Sequence, residues 1–230
     1  MPKAADPDVR DRLIGLAAAR LAARQPVSLR GLAEAAGTST MAVYTHFGGM
    51  PGLWHAVRDA AFATLAQELG RMSPTDDPVT DLMATGSAYV TNALTHPDLY
   101  LVVFDARGGP DHPDSAGTTF AVLVTAVQRA IDAGRFPAST DAEGAALELW
   151  AMTHGLVMLV ITEAIGEDDL NRHLPEMAIA AYAGFGDDPA AARRSVGGEL
   201  RRARRADLHG QRMTATSGSF RIGGTVHPRS

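Results

Sequence analysis

Two short helical segments separated by a tight turn constrain this chain more than anything else in it. Ser28 precedes a run from Leu29 to Ala36, and Ser39 precedes a run from Thr40 to Phe47. Serine is a favoured N-cap because its side-chain oxygen accepts from an otherwise unpaired N–H of the first turn. Between the runs, Gly37 supplies the left-handed backbone that such a turn favours. Helices joined this way pack at a steep angle as a helix-turn-helix, leaving the second free to enter a DNA major groove with its N-terminal residues at base edges.

The remainder reads as helix after helix. Val9, Leu13, Leu16, Ala17 and Leu21 recur at helical spacing, with Arg10, Arg12, Arg20 and Arg24 between them. Gln25-Pro26 ends that segment. Gly48-Gly49 breaks the chain after Phe47, and Pro51 sits in the first turn of a longer helix, to about Gly70, where its missing N–H costs little. After a turn cluster at 73–78, helices are expected over 79–95, 97–106, 114–133, 141–165 and 169–185, with 108–113 a loop. Thr140 and Glu143 form a capping-box pair for the fourth of these. No run alternates with period two for long enough to suggest a sheet. The expected fold class is therefore all-α: an N-terminal three-helix helix-turn-helix DNA-binding domain at 1–49, then a C-terminal helical ligand-binding and dimerisation domain at 50–186. Residues 187–230 are rich in Arg, Gly, Ser and Ala. They read as a disordered basic tail, with at most a transient helix at 190–206, so truncation at Asp188 is expected to leave folding intact.

Composition excludes more than it selects. The net charge of −5 does not favour nucleic acid, but its distribution permits it. Residues 1–70 carry 7 basic and 6 acidic groups, 71–186 carry 5 and 16, and 187–230 carry 9 and 4. The acid lies away from the helix-turn-helix. Cysteine is absent, which removes disulfides, thiolate zinc sites and cysteine nucleophiles. There is no P-loop, no His-Glu-x-x-His and no Gly-x-Ser-x-Gly, and the 8 histidines lack ligand spacing. No metal, cofactor or catalytic residue is expected. Glu167-Asp168-Asp169 reads as a solvated helix start. The N-terminus lacks a signal-peptide core, and the most apolar run, 155–161, falls far short of the roughly 20 residues a membrane helix needs. A soluble cytoplasmic protein with no membrane partner is expected.

The residues flanking the turn narrow the reading. Val43-Tyr44-Thr45-His46-Phe47, the Gly-Gly break and Leu53 on a new helix resemble the end of the recognition helix of TetR-family regulators. Leu29 to Gly37 resembles that family's preceding helix, and the likeness spans about 9–69. The resemblance implies that Tyr44 and His46 contact DNA phosphates, and that Ser28, Thr38 and Ser39 add hydroxyl or backbone contacts at helix N-termini. It places Arg30, Thr40, Met41 and Thr45 where family members often read bases. One position departs: where the family usually carries a lysine three residues after His-Phe, this chain has Met50. Binding is then expected to depend less steeply on salt.

In the C-terminal half, Leu147, Trp150, His154, Met158 and Ile161 share one helical face, and Leu149, Met152, Leu156 and Val160 another. A helix apolar on both sides is buried on both sides, here against its own domain and a partner subunit. Trp150, His154 and Gly155 resemble the motif of a TetR subgroup named for Trp, His and Gly. Tyr89, Phe104, Phe120, Trp150, His154 and Met158 are the expected pocket lining, although Met and aromatic residues at this spacing also serve as plain core. The resemblance implies a homodimer on double-stranded operator DNA, released by a small-molecule inducer. An all-helical enzyme and a protein-binding adaptor are the alternative classes.

Overall fold

The computed structural model describes residues 7–103 and 114–217, with side chains described over 8–102 and 117–205. Among the described residues there are helices and no strands. In order they are α1 (Pro7–Ala22), α2 (Leu29–Ala35), α3 (Thr40–Phe47), α4 (Met50–Gly70), α5 (Pro78–Thr95), α6 (Pro97–Val103), α7 (Asp114–Asp132), α8 (Ala142–Ile161), α9 (Glu167–Gly184) and α10 (Pro189–Ser217).

Local chemistry sets most of these boundaries. The Ser28 and Ser39 side chains accept from Gly31 N–H and Ala42 N–H, each at 3.2 Å, and so cap α2 and α3. Gly37 (φ 65°) and Gly48 (φ 68°) take left-handed backbone at the two breaks. Asp77 caps α5 by accepting from Val79 N–H at 3.1 Å. At the start of α8, Asp141, not Thr140, is the cap: its carboxylate accepts from Glu143 N–H at 3.2 Å. That helix also stops at Ile161, short of the expected 165, because the chain turns left-handed at Glu163 (φ 59°).

Two apolar cores result. One gathers Leu13, Ala17, Leu32, Val43, Leu53 and Val57 from α1 to α4. The other gathers Leu82, Val127, Phe136, Leu149, Val157, Leu170 and Tyr182 from α5, α7, α8, α9 and the turn after α7. α4 serves both, since Leu53 and Val57 lie in the first core while Leu65 and Leu69 face a cavity beside the second. α6 also serves both: Leu99 and Val102 join the first core and Tyr100 the second. α8 is apolar enough, over 20 residues, to cross a membrane by length and composition. Here its Ala145, Ala146, Leu149, Thr153, Leu156 and Val157 are buried against the rest of the fold.

The segment expected to be a disordered tail is instead helical from Pro189 to Ser217. Ala192 and Val196 are fully buried in the second core, and Ser195 and Glu199 are buried with them. α10 packs on α5 and α9. An ion-pair cluster holds it there. Arg135 donates Nε and Nη2 to the two oxygens of Asp187 at 2.7 and 2.6 Å, and Nη1 to Asp77 at 2.7 Å. Ser195 of α10 donates to the other Asp77 oxygen. Burial pushes the Asp77 carboxyl up, but the hydroxyls of Ser195 and Thr80 and the Arg135 charge outweigh it and hold the group below its ordinary 3.8. Residues 218–230, the rest of the expected tail, lie outside the described residues.

Candidate nucleic-acid interface and ligand cavity

α3 buries one side and presents the other. Val43 is fully buried, whereas Met41 is 71% and Tyr44 53% exposed, and Thr40 and Thr45 are exposed beside them. Ser28, Arg30 and Ser39 are also exposed, while Thr38 and His46 are half-buried. The expected interface residues therefore lie along α3 and at the N-termini of α2 and α3. Some of their polar atoms already have work. Ser28 and Ser39 act as caps, and Thr45 Oγ1 donates to Met41 O at 2.9 Å, which leaves its lone pairs open. Among these interface candidates Arg30 carries the only permanent positive charge. Met50, in the position where a lysine was expected, is half-buried against the first core and packs rather than reaches outward.

Gly52, which the sequence did not flag, fixes how α3 meets α4. A Cβ there would run into the Phe47 carbonyl, so the end of α3 approaches α4 at a distance only glycine permits.

Behind the helix-turn-helix, the helices α4, α5, α7, α8 and α9 enclose a cavity of about 220 Å³. Of the residues expected to line it, Tyr89, Phe120 and Trp150 do. Phe104 lies outside the described residues. His154 and Met158 are not part of the wall: Met158 packs in the second core, and His154 stands behind Tyr89. There it completes a polar chain. Trp150 Nε1–H donates to Tyr89 Oη at 3.1 Å, Tyr89 Oη lies 2.7 Å from Tyr100 Oη, and Tyr100 Oη lies 2.6 Å from His154 Nδ1. Burial lowers the His154 pKa below 6.5, favouring the neutral ring. With Nδ1 unprotonated, protons run from Trp150 to Tyr89 to Tyr100 to His154 and each donor finds an acceptor. Burial raises the pKa of both tyrosines, which keeps the chain neutral. Sequence reasoning found three members and missed Tyr100, whose place depends on α6 folding back against α5.

Comparison with known proteins agrees with this architecture. Residues 82–182 match the family described as the tetracyclin repressor-like C-terminal domain. Over 166 residues the chain is 26% identical to an uncharacterized HTH-type transcriptional regulator of Mycobacterium tuberculosis, covering 69% of this chain and 72% of that one. The fold is shared with a gamma-butyrolactone receptor (TM-score 0.59, 18% identity, covering 85% of this chain and 95% of that one). It is shared also with the TetR-family regulator PfmR of Thermus thermophilus (TM-score 0.54, 20% identity, covering 64% and 85%). With a tetracyclin repressor-like domain behind a helix-turn-helix, the chain is similar in sequence and fold to TetR-family transcriptional regulators.

Proposed function

We propose that this protein is a homodimeric repressor that reads operator DNA through α3 and is released by a small molecule held in the C-terminal cavity. Residues 1–49 act as the reading domain and 50–186 as the regulatory and dimerisation domain, to which we add the first half of α10. The observation that carries the reading is the solvent-facing side of α3, where Thr40, Met41, Tyr44 and Thr45 stand exposed on a helix anchored by Val43. Tyr44 and His46 would hold phosphates and set register, while Arg30, Thr40, Met41 and Thr45 would meet base edges, Met41 on thymine methyls. Ser28, Thr38 and Ser39 would offer N–H and hydroxyl groups to phosphates at helix starts.

Dimerisation is supported by a stripe on α8 and α9. Leu147 (52% exposed) and Leu159 flank Ala151 and Gly155 at intervals of four, and Met177 lies exposed on α9. Small residues at the centre of such a stripe let a second copy approach closely. A dimer would set two α3 helices about 34 Å apart, one turn of DNA. The cavity supports an inducer that prefers a different spacing and so shifts the population away from the DNA-competent state. The fold neighbour named a gamma-butyrolactone receptor also takes a small molecule by its name.

The deciding experiment is selection of DNA from a random pool by the full-length protein, followed by gel shift on the selected site. Tyr44→Ala and His46→Ala are expected to weaken binding at least about tenfold with the melting temperature unchanged. If both variants bind as the wild type does, α3 is not the reading element.

A further inference from the structure

The cavity holds one polar group with nothing to do. Among its described lining residues none is charged, and most polar atoms are already committed. Trp150 N–H goes to Tyr89, and Tyr89 is engaged with Tyr100. Thr85 and Thr153 donate to carbonyls of their own helices, at Asp81 and Leu149, and Thr119 also has a partner. Tyr182 differs. It lines the cavity from α9 and is 3% exposed, yet its Oη makes no hydrogen bond among the described residues. With no protein partner, this hydroxyl is left to bond whatever fills the cavity, water or ligand. Such a group facing a cavity marks where a ligand atom belongs.

Taking the cavity as the inducer site, we infer that its ligand is an uncharged, largely apolar molecule bearing one acceptor oxygen, of carbonyl or ether type, that takes the Tyr182 proton. Burial keeps this phenol protonated, so it serves as a donor. A pure hydrocarbon would leave the hydroxyl unmet. An anion would meet no cation on the described wall and would lose its hydration without return. The volume of about 220 Å³ exceeds the roughly 150 Å³ apolar cavity that admits benzene, and so suits a ligand on the order of ten non-hydrogen atoms.

The test is calorimetric titration of the full-length protein with acetylnaphthalene, its hydrocarbon isostere isopropenylnaphthalene, and naphthoate. The ketone is expected to bind about three- to tenfold more tightly than the alkene, with naphthoate weakest. In Tyr182→Phe the advantage of the ketone disappears, alkene affinity holds, and the ligand-free melting temperature is unchanged or higher because no hydrogen bond is lost. Equal affinities in the wild type, a ketone preference that survives Tyr182→Phe, tightest binding by naphthoate, or no binding of any of the three overturns the inference. So does a Tyr182→Phe protein that melts well below the wild type, since the hydroxyl would then serve folding. These titrations contain no DNA. A ketone that binds with the expected selectivity but leaves operator binding unchanged counts against the inducer reading and not against the ligand class.

Discussion

Gly52 shows how much one missing atom decides. Replacing an interior helical glycine with alanine ordinarily stabilises by about 0.5–1 kcal/mol. At Gly52 the new methyl meets the Phe47 carbonyl, so the sign is expected to reverse. We expect Gly52→Ala to cost about 1–3 kcal/mol in urea unfolding, in the range of an overpacked core, and to weaken operator binding because α3 is displaced. A stabilised Gly52→Ala protein would contradict this close approach. Met50 makes the complementary case. Met50→Lys should add a phosphate contact and steepen the slope of log affinity against log salt by about one unit per half-site. An unchanged slope would place this position out of reach of DNA. The exposed side of α3 was legible from sequence because a local pattern of caps and one apolar position determines it. Gly52, Tyr100 and Tyr182 were not, because each owes its role to a contact with another helix.

Among the helices, those with large apolar residues at regular spacing were readable, and the end of the chain was not. Among the described residues, the buried positions of α10 are Ala192, Ser195, Val196 and Glu199, a face too small and too polar to give a hydrophobic period. What docks this helix is the cluster of Arg135, Asp77, Asp187 and Ser195, assembled from four places in the chain. Truncation at Asp188 should therefore destabilise the protein, contrary to the expectation drawn from composition, and a melting curve of the truncated chain checks it. Arg135→Ala isolates the ionic part. It leaves the Asp187 carboxylate, 2% exposed, without its bidentate partner. Breaking a buried pair from one side costs about 3–5 kcal/mol, which denaturant unfolding should register. A loss under about 1 kcal/mol, the range of a solvent-exposed pair, would mean that water reaches Asp187 freely.

At the level of the whole molecule, pH should act in two stages. His154 has a folded pKa below its ordinary 6.5, so the unfolded chain binds its proton first. Its contribution is complete well above pH 6.5 and declines as pH falls through that value toward the folded pKa. Asp77 is also held below its ordinary 3.8, so its contribution persists above that value and is lost as pH falls further. The melting temperature should fall on going from about pH 7.5 to about 5.5, and His154→Gln should flatten that decline. A variant with the same pH profile as the wild type would remove His154 as the cause. Such coupling could not be read from sequence, because it depends on how far the folded chain buries His154 and on the partners it brings to Asp77. There are two cores, and the first takes Leu53, Val57 and Val102 from beyond the Gly-Gly break. The sharing of α4 and α6 between them was not legible in the sequence. Leu99 and Val102 of α6 belong to one core and Tyr100, between them, to the other. The two halves of the molecule are thus not cassettes. An engineer who grafts this helix-turn-helix onto a foreign C-terminal domain must carry α6 across the seam and refit it on both sides at once.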